Sequence, residues 1–191
     1  MNDLQSELNL HAAELIAAAT CLDKYVLPKN DDEKRLRDMM QSLAAKKKLF
    51  NPSVFRPADE DGEEKLYVLS ETDESSPALY LVSAQSRVYS PPHDHTTWAI
   101  IAPITGGEVN TLFSRKDGLP LEVITTAKIY PGDIIGMNGD DIHDSATFEN
   151  EATLCLHLYG KPFSAMTERR KFDPQTGAAS AYNVKVSKFE S

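Results

Sequence analysis

Apolar residues recur at helical spacing up to about Phe50 and in short runs thereafter. Leu4, Leu8, Ala12, Leu15 and Ile16 fall three or four apart amid alanines, which predicts an amphipathic first helix. Pro28-Lys29-Asn30 interrupts that pattern. Asp31 or Asp32 suits the cap of a second helix, whose apolar stripe is Leu36, Met39, Met40 and Leu43. This helix is expected to end near Lys46-Lys47-Lys48, where positive charge complements the C-terminal end of the helix dipole. The lysine run therefore reads as a solvated helix end, not a binding patch.

Beyond Phe50 the runs shorten and are separated by polar, Gly and Pro clusters. Leu66–Leu69, Ala78–Val82, Trp98–Ile101, Leu121–Ile124 and Leu154–Tyr159 read as strands. Glu71 to Pro77 is a polar loop, and Lys116-Asp117-Gly118 is an Asp-Gly hairpin turn. Many short strands with frequent turn signals predict a sandwich or barrel. The chain reads as one domain over 1–191, with helices in 1–49, a β-barrel in 50–165 and an irregular tail in 166–191.

Composition narrows the function classes. Apolar residues make up 41% and charged residues 26%, ordinary for a globular protein. A formal net charge of -9 argues against nucleic acid as a partner, because phosphate binding needs a basic face. No apolar run approaches the ~20 residues of a spanning helix, so no membrane partner is expected. The acidic start Met1–Glu7 lacks the basic region of a secretory signal. The two cysteines, Cys21 and Cys155, are too few for a disulfide framework. Together these point to a cytoplasmic protein.

The candidate chemistry begins at Pro92-His93-Asp94-His95. On a strand, alternation would turn His93 and His95 to the same face. A third histidine, His143, follows the turn Tyr130-Pro131-Gly132-Asp133 and stands 48 residues after His95, a spacing that allows an intervening hairpin and a return strand. Three neutral nitrogen ligands suit Fe, Zn, Cu or Ni and leave coordination positions open. A structural zinc site is less well matched, since such sites are usually closed by four ligands, often thiolates. On the run Leu154–Tyr159, period two places Cys155, His157 and Tyr159 on one face and three leucines on the other. A polar row of that kind, backed by leucine, reads as a relay ending at a phenol near the metal. Trp98 alternates to the face opposite the histidine pair and is assigned to the core.

These residues resemble a cupin of the cysteine dioxygenase family, the non-haem iron thiol dioxygenases. The resemblance rests on His93-Asp94-His95, the Pro131-Gly132-Asp133 turn, His143, and Cys155-Leu156-His157-Leu158-Tyr159-Gly160 in place of the family's Ser-x-His-x-Tyr strand. It covers roughly Lys65 to Tyr159. It implies an all-β-dominated fold, a cupin double-stranded β-helix (jelly-roll) barrel with N-terminal α-helices. It also implies Fe(II) on His93, His95 and His143, with Zn, Ni or Cu as alternatives in purified protein. The implied reaction oxidises a small thiol, cysteine or 3-mercaptopropionate, to its sulfinate with O2. Tyr159 would assist the reactants, and His157 would hold its hydroxyl.

Three departures qualify the match. The crosslinking cysteine of mammalian-type members is replaced by Ile100, which points to the bacterial type. The family serine is Cys155, a weaker hydrogen-bond donor, expected as a small buried thiol. No arginine stands at a motif-anchored position for the substrate carboxylate. Lys65 is nearest the position used by cysteine-type enzymes, and Arg169 or Arg170 lies in the region used by the 3-mercaptopropionate type, with Arg115 a further candidate. Glu108, after Gly106-Gly107, lies too far along the chain to match the extra glutamate ligand of other cupins. Two alternatives share the histidine set: a cupin oxygenase cleaving a carbon–carbon bond in a small diketone or enediol, and a non-catalytic metal- or ligand-binding cupin.

Overall fold

In the computed structural model, which describes residues 3–56, 59–60, 62–182 and 188–190, two helices lie against a pair of facing β-sheets. Helix α1 (Asp3–Ala19) buries Leu8, Ala12, Leu15 and Ala19, and α2 (Asp31–Ala45) buries Leu36, Met40, Leu43 and Ala44, the helical spacing read from the sequence. The cap of α2 is Asn30, not Asp31 or Asp32. Its Oδ1 accepts from Asp32 N at 2.9 Å and Glu33 N at 3.4 Å. The aspartates instead fill the first turn, where negative charge meets the positive end of the dipole. Among the described residues, no helix is long and apolar enough to cross a membrane.

The strands are β1 (Glu64–Ser70), β2 (Ala78–Ala84), β3 (Tyr89–His93), β4 (Ala99–Thr105), β5 (Glu108–Ser114), β6 (Glu122–Ile129), β7 (Ile135–Met137), β8 (Ile142–Thr147), β9 (Thr153–Tyr159), β10 (Arg170–Phe172), β11 (Ala179–Ala181) and β12 (Lys188–Glu190). One sheet has the order β12-β1-β2-β9-β4-β7, the other β11-β10-β3-β8-β5-β6. From β2 to β10 the chain crosses between sheets at every step except the β5–β6 hairpin. That alternation winds a double-stranded β-helix, the jelly roll expected from the sequence. Pairing is antiparallel except for β12 against β1.

The tail is not irregular as expected. Within 166–182, β10 pairs with β11 and, at Lys171, with His93 of β3. Its strands are only three residues long, too short for a period to register, and they form because they extend the edge of an existing sheet.

The leucine and histidine faces of β9 separate two cores. Leu154, Leu156 and Leu158 join Leu79, Leu81, Ile100 and both helices on the outside of the first sheet. Trp98 belongs to this helix-covered core and donates from Nε1 to Asp23 O at 2.8 Å. Cys155 and Tyr159 belong to the inner core with Leu66, Tyr80 and Ile101, facing the second sheet. The inter-sheet space therefore receives polar side chains from both sheets, and it holds the candidate site.

Candidate metal centre

His93 and His143 are separated by half the barrel in sequence but face one another directly in the β3–β8 register. Strand β3 ends at His93, so the pleat argument for His95 fails. His95 instead enters from the following turn, where Thr96 adopts φ 57° and donates from its N to Gly139 O at 2.8 Å. Gly139 permits that approach, since a Cβ there would lie 2.7 Å from Thr97 N. The result still joins the three rings. His95 Nε2 lies 3.1 Å from His93 Nε2 and 3.3 Å from His143 Nε2, with all three residues buried.

This cluster fits a metal ion. Nitrogens about 2.1 Å from one ion stand about 3.0 Å apart at right angles and about 3.4 Å apart at tetrahedral angles. The two measured separations fall in that interval. The outer ring atoms also fix the tautomers. His93 Nδ1 donates to Pro91 O at 2.8 Å and His143 Nδ1 donates to Asn110 Oδ1 at 3.1 Å. Both acceptors lack protons to give, so the Nε2 atoms present lone pairs to the centre. A proton on His95 Nε2 satisfies only one of its two short contacts, whereas a cation satisfies all three rings. Burial pushes His93 and His95 well below the usual imidazole range, and holds His143 down to about 4. The three are unprotonated at neutral pH, the form a metal requires.

A cavity of about 80 Å³ opens beside the cluster, room for a ligand of a few heavy atoms. His157, Tyr159 and Cys155 line it from β9. His157 Nδ1 lies 3.0 Å from the Tyr159 hydroxyl, while His157 Nε2 is buried without a partner among the described residues. A buried unpaired N–H is costlier than an unpaired acceptor, which favours Nδ1–H donating to the phenol oxygen. That assignment leaves the Tyr159 proton free for the cavity. Burial raises the Tyr159 pKa, so the group is a donor and not a base. The Tyr159 ring is 5.4 Å from that of His95. Cys155 is also pushed well above its usual pKa by burial and remains a thiol. Four residues of strand, about 13 Å, separate it from Tyr159, so the two cannot crosslink.

The carboxylate candidates separate clearly. Lys65 lies on the β1 face opposite Glu64 and Leu66, which line the cavity, and ion-pairs with Asp59 at 3.2 Å. As a substrate ligand it is thus displaced, because period two along β1 sends it away. Arg115 donates from Nε to Gly177 O at 2.8 Å, away from the cavity. Arg170 pairs with Asp94, its Nε 2.7 Å and its Nη2 2.6 Å from Oδ2. Arg169 is the one that lines the cavity, at 6% exposure. Its guanidinium carbon stands 5.0 Å from the Phe163 ring and 5.1 Å from the Tyr182 ring. Its Nε donates to Asp94 O at 3.3 Å, and burial lowers its pKa. Among the described residues its two terminal nitrogens make no hydrogen bond. Phe163, Tyr182 and Asn110 were not legible as site residues, since each stands alone in sequence. Glu108 lines the cavity but is not one of the three clustered ligands.

No protein-family model matches the chain, and no curated protein matches it. Solved structures do. A cupin superfamily protein from Desulfitobacterium hafniense DCB-2 matches with 13% identity over 57% of this chain and 87% of that one, TM-score 0.42. A cupin-like protein from Thermotoga maritima matches with 15% identity over 59% and 78%, TM-score 0.43. The DMSP lyase DddQ from Ruegeria pomeroyi DSS-3 matches with 14% identity over 84% and 77%, TM-score 0.45. The cupin-type barrel of this chain is read from its own strand order.

Proposed function

We propose that this protein is an Fe(II)-dependent dioxygenase that converts a small thiol carboxylate to its sulfinate, with 3-mercaptopropionate the best-matched substrate. One observation carries the reading: a buried arginine whose terminal nitrogens make no hydrogen bond among the described residues lines the same small cavity as three converging, unprotonated imidazoles. His93, His95 and His143 would hold the iron. When bound there, Fe(II) supplies a Lewis-acidic centre with positions open to a thiolate and to O2. In the net reaction, R–SH + O2 gives R–SO2H, so both oxygen atoms end on sulfur and no further reductant is needed.

The chain's own residues supply binding and orientation. Arg169, stacked between Phe163 and Tyr182, presents its planar fork to a carboxylate, which it can grip bidentately. Its place beyond the His-x-Tyr strand agrees with the 3-mercaptopropionate type of the family resembled. Tyr159 directs a hydroxyl proton at the reactants, and His157 fixes that hydroxyl. The surrounding Leu66, Ile101 and Phe163 limit water, which strengthens each polar contact.

The test is anaerobic loading with Fe(II), followed by O2 uptake with 3-mercaptopropionate, cysteine, cysteamine and acetylacetone, with sulfinate measured by mass spectrometry. The expected result is sulfinate from the carboxylate thiols, 3-mercaptopropionate fastest, and little from cysteamine. Uptake with acetylacetone alone moves the chain to carbon–carbon cleavage. Stoichiometric iron without uptake from any of the four refutes this reading in favour of a binding protein.

A further inference from the structure

Glu108 is a buried acidic side chain of the cavity wall that the proposed reaction does not use. It is 7% exposed on the inner face of β5, two residues before Asn110, which is fully buried. A buried carboxyl is costly unless it is hydrogen-bonded. Here its hydrogen bond leads on to the histidine cluster. Asn110 Nδ2 donates to Glu108 Oε1 at 3.0 Å, and Asn110 Oδ1 accepts from His143 Nδ1 at 3.1 Å. In register, Asn110 faces Ser145 of β8, so His143 is its diagonal neighbour on the same face.

We infer that Glu108 is a positioning residue for His143, acting through the side-chain amide of Asn110. An amide has two chemically opposite ends and can rotate. If Asn110 turned over, its NH2 would face His143 Nδ1. The ring would then have to offer a lone pair at Nδ1 and carry its proton on Nε2, where no metal can bind. Glu108, as an acceptor, draws the NH2 to its own side and leaves the carbonyl for His143. Among the described residues the other two histidines have no such device. His93 relies on the backbone carbonyl of Pro91, and His95 Nδ1 has no partner there. His143 is thus the ligand whose orientation and donor strength a distant side chain can set.

The inference rests on the metal reading of the histidines, not on the thiol chemistry. Its test is Co(II) titration of the full-length metal-free protein against a chromophoric chelator, with the visible spectrum of the bound ion as second readout. Glu108→Leu and Asn110→Ala should each weaken Co(II) binding tenfold to hundredfold and shift the spectrum, the range for losing such outer partners. Glu108→Gln, whose carbonyl can still accept from Asn110, should recover most of the affinity. The Glu108→Leu/Asn110→Ala double variant should bind no more weakly than Asn110→Ala alone. Additive losses, or a folded Glu108→Leu protein with unchanged affinity and spectrum, overturn the relay. If Glu108→Leu does not fold, Asn110→Ala alone decides, and unchanged affinity there overturns it too. Wild-type protein that binds no Co(II) overturns the metal reading itself.

Discussion

Replacing Arg169 by Met separates catalysis from stability. In the substrate complex, Arg169 would form a desolvated pair with a carboxylate inside the barrel. Removing one partner of a buried charge pair costs about 3 to 5 kcal/mol. At about 1.4 kcal/mol per decade, kcat/KM for 3-mercaptopropionate should fall from roughly a hundredfold to several thousandfold. Without substrate the same guanidinium is a burden. It is 6% exposed; the Asp94 and Glu64 carboxylates act on it through space, and its direct contacts are one 3.3 Å hydrogen bond and two ring faces. Those contribute about 1 kcal/mol and about 0.5–2 kcal/mol per ring, against several kcal/mol of charge desolvation. Methionine has similar reach and no charge, so Arg169→Met should keep or raise the melting temperature by a few degrees, at about 2–4 °C per kcal/mol. Kinetics with 3-mercaptopropionate and cysteamine, beside thermal denaturation, read both effects. An equal loss for cysteamine, which has no carboxylate, refutes the anchoring role. A melting temperature lowered by many degrees would make Arg169 a structural residue instead.

His93→Ala should abolish Co(II) or Fe(II) retention and activity while far-ultraviolet circular dichroism stays unchanged; unfolding would mark a structural metal site. Tyr159→Phe should retain metal and lose roughly ten- to hundredfold in kcat, the worth of one buried hydrogen bond to the reactants; full activity in that variant removes the phenol from the mechanism. Metal-free protein should also be acid-sensitive. The unfolded chain binds a proton at His143 near pH 6.5, whereas the folded chain does so only near 4. Stability should therefore be flat above about pH 6.5 and fall below it, by about 3 kcal/mol from this residue as pH approaches 4. Urea midpoints at pH 7.5 and 5 measure this, and equal midpoints refute the burial argument.

The sequence was most readable where one side of an element meets a uniform environment. The stripes of α1 and α2 and the leucine face of β9 each contact one continuous core, so their periods stand out. The row Cys155, His157, Tyr159 was readable for the converse reason, as a polar face backed by leucine. β5 was missed because Glu108 and Asn110 point inward, the reverse of the usual rule, and do so to support a site. β6 was read short because most of it is exposed on both faces and it lacks a buried side to impose a pattern. Lys65 was misplaced although Leu66 beside it carried the signal, since inward Leu66 turns Lys65 outward. Tyr182 had no signal at all, because only the tertiary fold brings it to Arg169.

Asp94, between the two motif histidines, explains why the arginine could not be anchored by spacing. Its side chain is fully buried and turns away from the histidines. Oδ1 accepts from Arg170 N at 2.9 Å, and Oδ2 receives the Arg170 guanidinium. Its own backbone N donates to Arg170 O at 3.0 Å and its carbonyl accepts from Arg169 Nε. One residue thus clamps both strands of contact between the histidine turn and β10. Arg169, the proposed carboxylate anchor, is consequently placed by the same turn that carries His95, whatever the length of chain between them. Intervening residues are free to vary in number so long as β10 returns to Asp94. The clustered histidines and the arginine therefore form one rigid unit built from two distant segments, and a shift in either displaces the other.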